Sequence, residues 1–317
     1  GLYDQTVSFF RSLQTTDDVL RSKAGEEVDQ VIASLDDSLS SDNLKLLNKW
    51  TTHYLSHWMR GELEKIDVTL FEKVSLETFT RMALSILVDA DWSDASRFQN
   101  EESAIESENT PSFEEFQKKF QTYRSSLERP TKRSKELTRL QLMCEEKGRE
   151  SGRAVELVLP TGYGKTFASL SYALEHAKSY QKKRIITALP LQNLTIEISA
   201  LYKKIFGEEY VIEDYSLVDH REVQEDKRER LAIERNRWDQ PFVVTTTVQL
   251  FESLFSNRPR ALRKLHRMAG SIIILDEYHL LPMHLLEPIL RRLDVLPDQY
   301  DVTVIFVSAT NLPLTTS

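Results

Sequence analysis

Apolar and polar positions divide the chain into two rhythms. Up to about Phe98 apolar residues recur at spacings of three and four, as in Leu44, Leu47, Trp50, Tyr54, Leu55 and Trp58, with no proline among them. Such spacing gathers apolar side chains on one stripe of a helix, so residues 1–110 are expected to form an all-α region. Residues 99–113 are acidic, serine-rich and contain Pro111, which marks a linker and a helix start at Ser112. A helix over Phe113 to Leu127, a basic connection through Arg129-Pro130-Thr131-Lys132-Arg133 and a helix from Ser134 to Lys147 follow. The boundaries expected are a helical region at 1–110, a connection at 111–136 and a second domain at 137–317.

After Gly152 short β-rich runs alternate with helical ones: Val155 to Leu159, Arg184 to Leu189, Phe242 to Thr246, Ser271 to Asp276 and Val302 to Ser308. Alternation of this kind predicts an α/β domain with a parallel sheet. Ser271-Ile272-Ile273-Ile274-Leu275 is apolar at nearly every position, as a central strand covered by helices on both faces must be.

Charge sharpens the division. The net charge of −8 over 317 residues conceals a first stretch, 1–110, with 21 acidic and 10 basic side chains, and a remainder with 28 acidic and 31 basic. Nucleic-acid binding rests on Lys and Arg releasing counterions from phosphates, so only the second part could offer a basic groove. Its densest cluster is Arg258, Arg260, Arg263, Lys264 and Arg267, which a solvated helix face explains equally well. No apolar run approaches 18 residues, which argues against a membrane partner, and the single cysteine, Cys144, excludes an internal disulfide framework. A reducing cytoplasm is the expected setting.

The chemistry begins at Leu159-Pro160-Thr161-Gly162-Tyr163-Gly164-Lys165-Thr166, between a predicted strand and a predicted helix. Glycines let the backbone N–H groups curl around phosphates, Lys165 reaches the same oxygens, and the Thr166 hydroxyl can ligate magnesium. Leu159 departs from the usual small first residue of this loop. ATP and magnesium are the cofactors implied, with Thr161, Gly162, Tyr163, Gly164, Lys165 and Thr166 around the phosphates. Next, the strand Ile272-Ile273-Ile274-Leu275 ends in Asp276-Glu277-Tyr278-His279, 111 positions beyond Lys165. Asp276 would hold the metal and Glu277 would orient and deprotonate the attacking water. His279, with Ser308 and Thr310 of Ser308-Ala309-Thr310, is a candidate for coupling the nucleotide to the rest of the domain. Gln141, 21 residues before Gly162, is a candidate adenine contact.

Pro-Thr-Gly-x-Gly-Lys-Thr and the Asp-Glu strand are typical of superfamily 2 helicases, which implies a RecA-like sheet. The segments Val243-Val244-Thr245-Thr246-Thr247-Val248-Gln249-Leu250-Phe251-Glu252-Ser253-Leu254-Phe255 and Ala188-Leu189-Pro190-Leu191-Gln192-Asn193-Leu194 resemble more narrowly the CRISPR-associated helicase-nuclease of type I systems. The resemblance implies that Pro190, Gln192, Asn193, Thr246, Thr247 and Gln249 approach single-stranded DNA, and that an RNA-guided surveillance complex is a partner. Ser85-Ile86-Leu87-Val88-Asp89-Ala90-Asp91 is similar to the end of that family's HD nuclease domain, which would make Asp89 a ligand for a divalent transition metal. Here the chain departs from the pattern: it has no His-Asp dipeptide, and the only histidines in residues 1–110 are His53 and His57.

The resemblance therefore predicts a partial chain: the rear of an HD domain and the first RecA-like domain, without the second. Such a chain is expected to bind ATP and DNA yet hydrolyse slowly, since an arginine finger can supply several orders of magnitude. A superfamily 2 helicase acting on RNA and a non-hydrolysing nucleotide-binding module are the alternatives.

Overall fold

The structure is a computed structural model, and it describes residues 70–100, 110–127, 131–215, 237–256, 258–281 and 283–310. The helical reading of residues 1–69, with His53 and His57, lies outside them.

Six strands form one wholly parallel sheet: β1 (Ala154–Val158), β2 (Arg184–Leu189), β3 (Val211–Asp214), β4 (Phe242–Thr246), β5 (Ser271–Asp276) and β6 (Thr303–Ser308), in the order β1-β6-β5-β2-β4-β3. Five of them fall within a residue of the strands predicted from apolar runs. The sixth, β3, was not predicted. Because all strands run the same way, every one of them ends on the same edge of the sheet.

The helices cover both faces: α1 (Leu70–Asn100), α2 (Phe113–Leu127), α3 (Lys132–Lys147), α4 (Lys165–Ser179), α5 (Gln192–Phe206), α6 (Thr247–Phe255), α7 (Pro259–Leu262) and α8 (Met283–Tyr300). Strand alternation splits the apolar run of β5 between two cores. Ile272 and Ile274 pack with Leu170, Leu174, Phe206 and Phe242, while Ile273 and Leu275 pack with Trp238, Leu250, Met268 and Leu296. No helix among the described residues is long and apolar enough to cross a membrane.

Residues 113–127, placed in the connection by their composition, are part of the first core. Phe116 and Phe120 of α2 are fully buried, and the Phe116 ring meets Phe242 edge-on with centroids 5.0 Å apart and Phe206 at 5.7 Å. Helix α3 opens on a capping box in which Thr131 and Ser134 satisfy each other's backbone N–H groups.

On the other face α1 is joined to the sheet domain by Met82, which enters the second core, and by a polar seam. Arg292 donates to Thr78 (2.5 Å) and pairs with Glu77 (2.7 Å), Arg81 donates to the Ser256 carbonyl (2.6 Å), and Ser85 donates to that of Leu262 (2.6 Å). The seam ends on Asp89, which takes up Arg263 (2.5 Å), with Arg237 and Arg267 each 3.4 Å away. Two stretches singled out in the sequence meet at this seam. Arg263 and Lys264 are buried, Lys264 pairing with Asp214, Arg267 is half-buried, and Arg258 and Arg260 alone of the basic cluster are exposed. Asp89 faces guanidinium groups instead of metal ligands, and no group of three or more His, Cys, Asp or Glu suited to a metal occurs among the described residues.

Burial acts to raise the Asp89 pKa, but Arg237, Arg263 and His266 outweigh it and hold the carboxyl below its ordinary value. A carboxylate so compensated, in a positive field, does not fit a site for a divalent cation.

Candidate functional site: the strand-end edge of the sheet

Each functional stretch follows a strand. The loop after β1 runs over residues 159–164 and feeds α4. Gly162 and Gly164 have φ of 82° and 69°, left-handed values that a side chain strains to adopt, and the Gly164 turn lets Lys165 open the helix. Ala168 N–H already bonds the Gly164 carbonyl. Helix α3 lies along this loop. Gly164 has Gln141 Nε2 and Leu137 Cδ2 beside it, each 3.8 Å from where a β-carbon would stand. Arg133 Nη2 donates to the Gly162 carbonyl at 3.2 Å. Positions 133, 137 and 141 are one helical face, yet sequence reading singled out Gln141 alone. Gln141 is buried with its Oε1 unbonded, an acceptor left for a ligand that donates.

The carboxylates come from the tip of β5. Glu277 has φ 49°, a left-handed conformation costly for a residue with a side chain, and its N–H bonds Asp276 Oδ1 at 2.9 Å. Lys165 Nζ donates to Glu277 Oε1, which joins the phosphate loop to the Asp-Glu pair directly. Glu277 Oε2 is buried and accepts no hydrogen bond, with His279 Nδ1 at 3.3 Å. Burial pushes the Asp276 carboxyl up, the Glu277 charge adds to this, and Lys165 opposes it. A carboxyl raised in this way is short of positive charge, so Asp276, with Thr166 and the Lys165–Glu277 pair, fits a magnesium-bound phosphate chain.

From Glu277 the polar chain continues into β6. His279 Nδ1 is 3.0 Å from Ser308 Oγ, which donates to the Thr310 carbonyl (2.8 Å) and accepts from the Thr310 N–H (3.1 Å). The register seats β6 between β1 and β5, pairing Val158 with Ser308 and Asp276 with Val307, so these residues share one end of the sheet.

The adjoining strands β2 and β4, paired Leu189 with Thr246, carry the stretches expected at DNA. Pro190 follows β2, and Gln192 and Asn193 begin α5, with Asn193 exposed and Gln192 Nε2 lacking a hydrogen-bond partner. After β4, Thr246 caps α6 by accepting from the Gln249 N–H, and Gln249 reaches Glu252. Thr247 departs from expectation. It is buried as the first residue of α6, whereas Asn193 is exposed and Pro190, Gln192, Thr246 and Gln249 are half-buried.

With this geometry in view, the similarity to known proteins is specific. The DEAD/DEAH box helicase family matches residues 138–313, more than half of the chain. The chain belongs to that family. Over 175 residues it is 30% identical to a CRISPR-associated nuclease/helicase Cas3 of Haloferax volcanii, covering 49% of this chain and 19% of that protein. A Cas3 described as putative in Methanocaldococcus jannaschii is 32% identical over 168 residues, 49% of this chain and 22% of that one. The chain thus spans about a fifth of the length of the curated relatives it matches. A crystal structure of T. fusca Cas3-ADP is similar over 63% of this chain and 22% of that one, with 22% identity and a TM-score of 0.44. The resemblance to the CRISPR helicase-nucleases read from sequence stands, and the sheet is the RecA-like sheet that resemblance implied.

Proposed function

We propose that this helicase domain is the first RecA-like half of an ATP-driven motor that moves along single-stranded DNA within a type I CRISPR helicase-nuclease. The observation that carries the reading is the partition of one sheet edge. Strands β1, β6 and β5 end in the phosphate loop, Ser308 and Asp276-Glu277, and the adjoining β2 and β4 end in Pro190-Gln192-Asn193 and Thr246-Gln249. ATP phosphates entering the loop would draw Lys165 away from Glu277. The freed carboxylate can then accept the proton of the attacking water. Magnesium, when bound by Thr166 and Asp276, neutralises phosphate charge. A change at Glu277 reaches β6 through His279 and Ser308, the contact chain present here. Gln141 would meet the adenine with its free Oε1.

Short polar groups at Gln192, Asn193, Thr246 and Gln249 suit phosphate contacts that are made and broken at each step. Recruitment by an RNA-guided complex, and delivery of the strand to a nuclease, belong to the same reading, which the CRISPR-associated nuclease/helicase relatives support in its CRISPR setting alone. The residues of this domain are expected to bind nucleotide and DNA, and an arginine placed against the phosphates would add the charge stabilisation that speeds hydrolysis. The test is binding of a fluorescent ATP analogue with and without magnesium, together with anisotropy on labelled single-stranded DNA and RNA of equal length. Nucleotide binding abolished by Lys165→Ala, with preference for DNA, supports the proposal. Equal or stronger RNA binding, or nucleotide binding that survives Lys165→Ala, overturns the corresponding part.

A further inference from the structure

The three most exposed large hydrophobic side chains among the described residues are Val248 (60%), Leu191 (57%) and Leu280 (55%). A single exposed leucine says little, since much of any protein surface is apolar. These three, however, follow three successive strands of the sheet: Leu280 comes after β5, Leu191 after β2 and Val248 after β4. Neighbouring strands lie about 4.8 Å apart, so the row crosses the strand-end edge over about 10 Å.

Local structure does not account for them. Leu191 occupies the N-cap of α5 without a side-chain cap, where Ser, Thr, Asp or Asn is favoured. Val248 is a β-branched residue at the exposed position of the first turn of α6, a choice that neither helix propensity nor burial rewards. Leu280 closes a single 3-10 turn after the Asp-Glu pair. Beside them in the chain stand polar residues: the exposed Asn193 and the half-buried Gln192, Thr246 and Gln249. An occupant must therefore offer apolar faces and hydrogen-bonding oxygens in alternation.

We propose that Leu280, Leu191 and Val248 form an apolar row against which unpaired bases rest, while the flanking polar groups hold the backbone. This rests on the strand-tracking function proposed above and adds that the motor grips bases as well as phosphates. Such contacts tolerate any sequence, because every base presents a face of the same character, and they require the strand to be single.

Binding of the whole chain to two labelled oligonucleotides of equal length, one ordinary and one with abasic sites throughout its central part, separates the two claims. Wild type is expected to bind the ordinary strand at least about tenfold more tightly. Leu191→Ser and Val248→Ser should each lower affinity for the ordinary strand about fivefold and leave abasic binding and its salt dependence unchanged. A circular-dichroism melt confirms that each variant is folded, as expected for exposed positions. Equal binding of both strands by wild type overturns the base row while leaving backbone tracking intact. No binding of either strand refutes the underlying function. A loss equal on both strands assigns the row to a protein surface packed on this edge and also overturns the proposal.

Discussion

Lys165 and Glu277 hold each other in this structure, and that contact sets the cost of admitting ATP. Their side chains are 12% and 22% exposed, so the pair sits between a surface ion pair and a buried one. Surface pairs contribute about 0–1 kcal/mol, and breaking buried ones costs about 3–5 kcal/mol, so about 1–2 kcal/mol is a reasonable value. Phosphates must displace the Glu277 carboxylate to gain Lys165. Glu277→Gln removes the competitor, and affinity for a non-hydrolysable ATP analogue should rise roughly 5- to 30-fold. Two side effects share that sign. The substitution takes a negative charge away from the triphosphate, and it removes a charge that raises the Asp276 pKa, leaving Asp276 more readily ionised for magnesium. Hydrolysis in an assembled motor should fall by about 10²- to 10⁴-fold, the usual value of a positioned base. Titration calorimetry on wild type, Glu277→Gln and Lys165→Ala checks the argument. If Glu277→Gln binds the analogue no more tightly than wild type while Lys165→Ala abolishes binding, the Lys165–Glu277 contact does not compete with the ligand and the reasoning fails.

Phe116→Ala should cost about 3–5 kcal/mol and lower the calorimetric melting temperature by roughly 6–20 °C, because its buried ring touches Phe113, Phe206, Tyr210 and Phe242. A shift below a degree or two would separate α2 from the sheet domain. Arg133→Met should weaken nucleotide binding about fivefold with little change in melting temperature, since it removes one charged, exposed hydrogen bond to the Gly162 carbonyl; unchanged affinity would deny Arg133 a part in shaping the loop. His266 supplies a pH test: burial foremost, then Arg267, push its pKa down to about 3, with Asp89 opposing and Arg184 and Arg237 adding to the fall. A depressed pKa means the folded state keeps this ring neutral, so its stability is fully present above about pH 6.5 and is lost on acidification toward about pH 3, by up to about 1.4 kcal/mol per pH unit. Chemical denaturation across that window should show a shallower slope for His266→Gln, and parallel curves for the two proteins would contradict the burial argument.

Why the site was legible while parts of its surroundings were not follows from the topology. In a parallel sheet the last residue of every strand arrives at the same edge whatever the order of the strands, so motifs closing apolar runs become neighbours once the runs are recognised as strands. Lys165, Asp276, Glu277 and Ser308 could be placed together for this reason, although 143 positions separate the first from the last. Strand β3 was missed because Val-Ile-Glu-Asp has only two apolar residues, and at a sheet edge it needs no more. The stripe Phe113, Phe116, Phe120 announced a helix, but periodicity says which face is apolar and nothing about what covers it. Arg133 lay in a basic run that composition assigned to a connection, and only the laying of α3 across the phosphate loop gives it a partner 29 positions away. Asp89 is the sharpest case. A carboxylate suits a metal and an arginine equally, and Asp89 is met by Arg237, Arg263 and Arg267, the last two 174 and 178 positions away in the chain. Thr247 makes the same point at shorter range, since three consecutive threonines look alike until β4 passes into α6 and Thr245 and Thr247 are buried while Thr246 stays half-exposed. Residues whose chemistry is exercised along the strand axis were thus readable, and those whose partner arrives sideways, from a helix laid over the sheet, were not.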